Sequence, residues 1–232
     1  MKTLGIIGGI APESTIAYYR AIMAEYKRRV SDGSQPPVII NSIDMMKMLG
    51  LIGESKLAEV TDYLIGETRK LAKAGAQYAI FASNTPHIVF EELERLSPIP
   101  LISIVACAAA YAKKLGLKRL GLFGTRFTMQ AKFYPEAFGR EGMKVILPLA
   151  QEQEFIHQKY MGELVEAVFN PETRAALLKI VDRMTAAEQI DGVILGGTEL
   201  PLLLQAEKHK GIWMLDTSLI HAEAAVGEML KN

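Results

Sequence analysis

Cysteine is almost absent from this sequence, since Cys107 is the one thiol among 232 residues. A single cysteine excludes an intramolecular disulfide and any cysteine-rich metal site. Cys107 lies in the small-residue run 105–110, where a cysteine usually packs as a small hydrophobic side chain. We therefore expect a chain that relies on a sizeable hydrophobic core, which its length allows.

The sequence also lacks an excess of charge, because 26 Lys and Arg residues match 26 Asp and Glu residues. Surfaces that bind DNA or RNA are usually strongly basic, so nucleic acid is not an expected partner. No apolar run reaches the roughly 20 residues of a membrane span. The first residues lack the basic segment and cleavage pattern of a secretory signal. These absences predict a cytoplasmic protein with no membrane partner.

Short apolar runs alternate with amphipathic segments along the chain, which predicts an α/β fold with parallel strands. The predicted strands of the first half cover residues 3–8, 38–43, 78–81 and 101–105. Those of the second half cover residues 119–123, 144–147, 192–195 and 213–215. Corresponding strand ends recur at a nearly constant separation, as with Ser83 and Gly197, which lie 114 residues apart. Such a repeat indicates an internal duplication.

The duplication predicts two pseudo-symmetric lobes, each a four-stranded parallel sheet flanked by helices. We expect the N-terminal lobe to span residues 1–110 and the C-terminal lobe to span residues 111–218. The last helix, residues 219–230, is a candidate to return and complete the first lobe. No linker rich in Pro, Gly or Ser divides the halves, so the lobes are expected to share an interface.

Small and hydroxyl-bearing residues follow two of the predicted strands, at positions 83–87 and 196–199. Ligands of open α/β sheets bind at the carboxyl ends of parallel strands, where backbone N–H groups and short polar side chains are accessible. The two segments therefore predict two half-sites that face each other.

A glycine turn, Gly8 and Gly9, follows the first strand, and Ser14 or Thr15 can cap the helix after it. The N-terminus of a helix behind a glycine turn favours a bound anion. The glycine spacing matches neither the dinucleotide pattern nor the P-loop, which favours a carboxylate or a small phosphate. The alternative is an ordinary strand-to-helix turn without a ligand.

The methionine-rich segment 45–53 allows two interpretations. It is either a short packed helix or a lid over a site, because methionine adapts to irregular surfaces. Lys47 is its only charged residue, so in a lid it would meet an anionic group of the substrate.

Taken together, these segments resemble the aspartate/glutamate racemase family, in particular its aspartate-racemase-like branch. The resemblance is carried by residues 2–9, 12–15, 83–87, 122–129, 196–199, 216–217 and 221–223. It implies an active-site cleft between two lobes, a homodimer, and chemistry that needs no pyridoxal phosphate, metal or other cofactor. It also implies amino-acid racemisation, in which a cysteine on one lobe removes the α-proton and a cysteine on the other returns one to the opposite face.

Both cysteine positions of that pattern differ here, since they are occupied by Ser83 and Gly197. An alcohol is a poor base unless a partner activates it, and glycine has no proton to transfer. His87 and Glu199 are the candidate substitutes, although the family pattern favours a structural role for His87 and an orienting role for Glu199. Cys107 lies in another segment and cannot be assigned to either position.

The residues predicted to bind a substrate are polar groups near the strand ends, with a lysine for a distal carboxylate. They are Gly9, Ser14, Asn84, Thr85, Thr125, Thr128 and Thr198, together with Lys47 or Lys159. Three functions stay open: racemase-type activity on a small amino or dicarboxylic acid with substitute groups, a one-base lyase or isomerase, and a binding protein or degenerate paralogue without turnover. His157, His209 and His221 form no metal-ligand spacing and are interpreted as packed or solvated side chains.

Overall fold

The computed structural model describes residues 1–231 and divides into two units. Unit 1 comprises Met1–Ile104 together with the C-terminal segment from His221, and unit 2 comprises Val105–Ile220. Each unit has a mainly parallel sheet flanked by helices, which confirms the predicted α/β class. Within the described residues, no helix is long and apolar enough to cross a membrane.

The helices and strands follow one another in an alternating order. The first are β1 (Leu4–Gly8), α1 (Pro12–Arg29), β2 (Val38–Ser42), α2 (Met45–Gly53), α3 (Leu57–Lys73), β3 (Tyr78–Phe81), a 3₁₀ turn (Thr85–Val89) and α4 (Phe90–Leu96). The next are α5 (Ile104–Lys114), β4 (Arg119–Gly124), α6 (Arg126–Gln130), α7 (Phe133–Arg140), β5 (Lys144–Ile146), α8 (Ala150–Lys159), a π-helical turn (Tyr160–Leu164) and α9 (Pro171–Glu188). The last are β6 (Gly192–Gly196), α10 (Leu200–Leu204), β7 (Lys208–His209), β8 (Ile212–Asp216) and α11 (Thr217–Met229).

The sheet of unit 1 has β1 at its centre, with β2 and β3 paired parallel on either side. Every residue of β1 and β3 is buried, which explains why both read as unbroken apolar runs. Helix α11 is tied to this sheet, because the Tyr78 hydroxyl donates to the Ala225 carbonyl at 2.7 Å. The Lys2 N–H also donates to the Met229 carbonyl at 2.9 Å. The C-terminal helix thus holds the first and third strands.

The predicted fourth strand of unit 1, residues 101–105, is wrong in extent. One residue pair remains, a parallel bridge between Ala79 and Leu101. Helix α5 already begins at Ile104, because the alanine-rich run that follows favours a helix. The sheet of unit 1 therefore has three strands and a bridge where four strands were expected.

The sheet of unit 2 contains the four predicted parallel strands in the order β5-β4-β6-β8. It also has a fifth strand, β7, which pairs antiparallel with β8 and was not predicted. With two residues, β7 is too short to show a sequence pattern. The neighbouring strands β4 and β6 end at Gly124 and Gly196, and a Cβ on Gly124 would lie 2.9 Å from the Gly196 carbonyl oxygen. Glycine is therefore needed where these two strands end side by side.

Candidate active site

The turn between β1 and α1 requires glycine at Gly9. Its φ angle is +83°, and a Cβ there would lie 2.5 Å from the carbonyl oxygen of Ile43. The N–H of Gly9 donates to the hydroxyl oxygen of Thr15 at 2.8 Å. This N–H is therefore engaged inside the turn. The prediction that Ser14 or Thr15 caps the helix is wrong, because α1 begins at Pro12 with Ala11 as its N-cap and no side-chain cap, so both residues lie inside its first turn.

Ser14 links the same turn to the end of β3. Its hydroxyl is buried and donates to the carbonyl of Ala82, one residue before Ser83. This hydrogen bond determines where the segment after β3 begins. Ser14 thus positions that segment, and its hydroxyl proton is engaged in the hydrogen bond to Ala82.

The segment that follows β3 buries its polar side chains, since Ser83 is 6% exposed and Asn84 is 3% exposed. The Ser83 hydroxyl oxygen accepts a hydrogen bond from the N–H of Thr85 at 3.4 Å. Serine often makes such a turn contact with the backbone two residues ahead. An N–H donor cannot take up a proton, so this contact does not convert Ser83 into a base.

His87 is a buried, neutral imidazole that holds the start of α5. Its Nε2 accepts a hydrogen bond from the N–H of Ile104 at 3.2 Å, which puts the ring proton on Nδ1. The ring stacks on Phe90, with the centroids 4.6 Å apart. Burial, and to a smaller extent His221, lowers the pKa of His87 to about 3. Protonation of Nε2 would break the hydrogen bond from the Ile104 N–H at the start of α5. The neutral ring therefore positions the backbone of that residue.

His221 binds the same stretch of backbone. Its Nε2 donates to the Ile102 carbonyl at 2.9 Å, so its Nδ1 accepts from the Tyr18 hydroxyl, also at 2.9 Å. The side chain is completely buried, and burial lowers its pKa to about 4. Two neutral histidines, His87 and His221, therefore fix the short segment 102–104 that leads into α5.

Helix α2 is packed, which is the first of the two interpretations of the methionine-rich segment. Met48 and Ile52 are buried in the hydrophobic core of unit 1. The Asp44 side chain caps the helix by accepting from the N–H of Lys47 at 3.1 Å. The Lys47 ammonium lies 4.4 Å from the centre of the Tyr63 ring, which is a cation–π contact.

In unit 2, Thr125 caps the short helix that follows β4. Its Oγ1 accepts a hydrogen bond from the N–H of Thr128 at 3.3 Å, and the two threonine hydroxyls lie 3.2 Å apart. Thr128 is buried, whereas Thr125 is partly exposed. The pair places two hydroxyl groups at the carboxyl end of β4.

Lys159, at the end of α8, forms a short ion pair with Glu163 one turn further along. Glu163 also accepts a hydrogen bond from the Thr173 hydroxyl at 2.6 Å. The charge of Lys159 is therefore compensated within unit 2.

Tyr160 fills the space in which a side chain at position 197 would lie. Helix α8 ends at Lys159 and continues as the π-helical turn that begins at Tyr160. A Cβ on Gly197 would lie 2.3 Å from Cε2 of the Tyr160 ring and 2.7 Å from its hydroxyl oxygen. Protein interiors are close-packed without such overlap, so the ring and a side chain at position 197 exclude each other.

The Tyr160 hydroxyl donates to Oε2 of Glu199, and the Thr198 hydroxyl donates to the same oxygen at 2.8 Å. All three groups are buried, with Tyr160 6% and Glu199 2% exposed. Burial, followed by the charge of Glu199, raises the pKa of Tyr160 well above its ordinary value. The result is a neutral phenol that donates a hydrogen bond to a buried carboxylate.

Tyr160 is a residue of the candidate site that the sequence analysis missed. The predicted set contained Glu199 and marked Gly197 as a position without a side chain. The only indication in the sequence was the glycine at 197. Protein interiors are close-packed, so the space left by an absent side chain at a buried position has to be filled by another residue. The sequence does not show which residue fills it, since Tyr160 lies 39 residues before Glu199.

Cys107 lies in α5, where burial raises the pKa of its thiol to about 11. A thiol with that pKa is almost fully protonated near neutral pH and provides very little thiolate. Across residues 1–231, no group of three or more His, Cys, Asp or Glu side chains is arranged to hold a metal ion.

Comparison with known proteins gives matches over most of the chain. The model of the Asp/Glu/hydantoin racemase family matches residues 7–225. The structure superposes on that of a candidate Asp/Glu racemase from Yersinia pestis with a TM-score of 0.91 and 31% identity, and the match covers 100% of both chains. An aspartate racemase homologue from Pyrococcus horikoshii superposes with a TM-score of 0.86 and 29% identity, again over 100% of both chains.

A curated relative matches a shorter part of this chain. A glutamate racemase from Streptococcus suis is 25% identical over 172 residues, which is 71% of this chain. The matched part spans 62% of the length of that relative.

Proposed function

The chain belongs to the Asp/Glu/hydantoin racemase family, and we propose that it binds a small amino or dicarboxylic acid without racemising it by a two-thiol route. The names of two relatives, an aspartate racemase homologue and a glutamate racemase, support the class of ligand. One observation carries the second half of the proposal: Tyr160 occupies the side-chain space of position 197.

Binding is supported by the polar groups that follow the strands of each unit. Hydroxyl and amide groups bind carboxylates and ammonium groups, and a hydrogen bond to a charged group contributes about 1.5–3 kcal/mol. Micromolar affinity requires about 8 kcal/mol in addition to an association cost of about 4 kcal/mol or more, which roughly four to eight such bonds supply. The groups we assign to binding are Ser83, Asn84 and Thr85 in unit 1, and Thr125, Thr128 and Thr198 in unit 2.

Two-thiol racemisation needs a proton-transfer group for each face of the α-carbon, because a single base tends to return the proton to the face it left. Position 83 carries an alcohol that accepts from a backbone N–H, and position 197 has no side chain. The one thiol, Cys107, lies in α5 with its pKa raised to about 11. None of these groups supplies a thiolate at either position.

Neither candidate lysine is needed for this proposal. Lys47 lies over the Tyr63 ring, and Lys159 is paired with Glu163. Each would have to leave its present partner in order to meet the distal carboxylate of a ligand. We therefore assign recognition of the α-carboxylate to the hydroxyl and amide groups. The candidate acids differ in their distal group, and we assign no residue to that group.

The proposal is tested by titrating the full chain with L-aspartate, D-aspartate, L-glutamate and D-glutamate in a calorimeter, followed by chiral chromatography after long incubation. We expect saturable binding of at least one acid and no formation of the opposite enantiomer. Asn84→Ala should weaken the binding by about tenfold or more, since a hydrogen bond to a charged group is lost. Gln35→Ala, which removes an exposed amide of unit 1, is the matched control.

Two results would contradict the proposal. Enantiomer formation by the wild-type chain would show that racemisation proceeds without the thiols. Absence of binding for all four acids, with the fold intact by circular dichroism, would show that the ligand class is wrong.

A further inference from the structure

We propose that the Tyr160 hydroxyl, backed by Glu199, is the proton-transfer group of unit 2 and acts in the place of the absent second thiol. The inference rests on the proposed function, because it needs a bound acid with an α-proton. It goes further in assigning one-sided acid–base chemistry to a residue that the sequence pattern does not mark.

The first argument is position. The Tyr160 hydroxyl oxygen lies 2.7 Å from the place of a Cβ on Gly197, and the neighbouring ring carbon Cζ lies 2.8 Å from it. The hydroxyl end of the Tyr160 phenol therefore lies where a side chain at 197 would begin. The glycine does not leave a void in unit 2, because another protic group is placed there.

The second argument is the partner of the hydroxyl. A phenol alone is a poor base at neutral pH, because with an ordinary pKa of about 10 almost all of it is protonated. Here the proton is donated to Oε2 of Glu199, which can take it up when the phenol oxygen receives another. Thr198 donates to the same carboxylate oxygen at 2.8 Å and holds it in place. This is the arrangement of a group activated by a neighbouring base.

The third argument is the backbone that presents the ring. Tyr160 begins a π-helical turn, in which the N–H of Val165 donates to the Tyr160 carbonyl at 3.0 Å, five residues back. Such turns are rare and are often found at functional sites. This local departure from the α-helix is located at the residue that meets Gly197 and Glu199.

The proposed step is balanced in protons and charge. The α-C–H bond of the substrate breaks and its proton passes to the Tyr160 oxygen, while the phenol proton passes to Oε2 of Glu199. The electron pair of the C–H bond stays on the substrate, conjugated with its carboxylate, and the negative charge of Glu199 is neutralised. The reverse step returns a proton to the same face. A single base therefore exchanges the α-proton and retains the configuration.

The test follows α-proton loss by proton NMR in deuterated water, with the purified full chain and the same four acids, L- and D-aspartate and L- and D-glutamate. We expect one enantiomer to lose its α-proton signal with no formation of the other. Tyr160→Phe keeps the ring and removes the hydroxyl, and it should slow exchange by about 100-fold or more while the affinity measured by calorimetry stays near that of wild type. Glu199→Gln should slow exchange similarly.

Tyr134→Phe is the matched control, because Tyr134 is another fully buried tyrosine of unit 2 whose hydroxyl bonds to Thr217. It should leave the exchange rate unchanged. Binding without any exchange, or exchange that survives Tyr160→Phe, would overturn this inference and leave the proposed function standing. Loss of exchange in Tyr134→Phe to the same degree would also overturn it, since the effect would then be structural. Absence of binding to all four acids would overturn both.

Discussion

The ring of Tyr160 and a side chain at Gly197 cannot coexist, because a Cβ on Gly197 would lie 2.3 Å from Cε2 of the ring. The contact couples the end of β6 to the π-helical turn after α8. It also explains why position 197 carries glycine here, although the φ angle of Gly197 is not among the positive ones that favour glycine. The glycine is required by space and not by backbone conformation.

We predict that Gly197→Ala lowers the free energy of unfolding by about 1–3 kcal/mol, the usual effect of overpacking a buried site. In a Tyr160→Ala background the same substitution should have almost no effect, because the space is then empty. Urea unfolding of the wild type, both single variants and the double variant gives the coupling free energy between positions 160 and 197 directly.

Gly139→Ala is the matched control for that cycle, since no atom lies within 4 Å of a Cβ at this helical glycine. It should be neutral or slightly stabilising, as alanine is in helices. Additive effects of Gly197→Ala and Tyr160→Ala would show that the two positions do not compete for space.

The two buried histidines predict that stability falls on mild acidification. Their pKa values in the folded chain are lowered to about 3 for His87 and about 4 for His221. The unfolded chain, with histidine pKa values near about 6.5, binds more protons than the folded chain between those values. Stability is therefore complete above about pH 6.5 and is lost as the pH falls toward about 4, by about 1.4 kcal/mol per pH unit for each histidine.

Urea unfolding at several values between about pH 5 and 6.5, a window above the carboxyl titrations, measures this slope. His87→Gln should reduce this slope by the contribution of one proton, about 1.4 kcal/mol per pH unit. Gln35→Ala, which removes an exposed amide without an ionisable proton, serves as the control and should leave the slope unchanged. A slope that is the same in wild type and His87→Gln would rule out the assignment of His87.

Cys107 should react slowly with thiol reagents. With its pKa raised to about 11, the thiolate fraction at pH 8 is about 100-fold lower than that of a free cysteine. The rate of reaction with Ellman's reagent, measured at 412 nm, should rise to that of a free thiol after unfolding in urea. Equal rates in folded and unfolded chain would mean that the thiol is not protected by burial.

Thr125 is predicted to stabilise unit 2 as the cap of α6. Thr125→Ala should lower the free energy of unfolding by about 0.5–2 kcal/mol, because the N–H of Thr128 then loses its side-chain acceptor. Thr125→Ser keeps the hydroxyl and should restore most of the loss. Thr185→Ala is the control, since the Thr185 hydroxyl bonds to the Val181 carbonyl within α9 and caps nothing. A loss as large at Thr185 as at Thr125 would argue against the cap.

The strands were predictable because burial on both faces leaves an apolar run that ends abruptly. β3 was expected at residues 78–81, where the structure has it, and all four of its residues are buried. The strand expected at residues 101–105 does not form over that length, because the helix favoured by the small residues after Ser103 already begins at Ile104. Periodicity alone cannot decide between two elements that both favour the same apolar residues.

The polar segments after β3 and β6 were also visible in the sequence, because glycine, hydroxyl and amide residues cluster where an apolar run stops. Their internal contacts were not. The acceptor role of His87 Nε2 depends on the N–H of Ile104, and the tautomer of His221 depends on the carbonyl of Ile102, 119 residues away. A histidine in a sequence does not show which backbone group faces it.

The sequence by itself determined the α/β class, the family and the absence of cysteine at positions 83 and 197, because these depend on local composition and on the order of segments. Only the tertiary structure decided what takes the place of the missing side chain at Gly197. That outcome depends on close packing between a π-helical turn and a strand end that lie far apart along the chain. It also depends on the Glu199 carboxylate, which accepts the Tyr160 proton only because folding brings the two together.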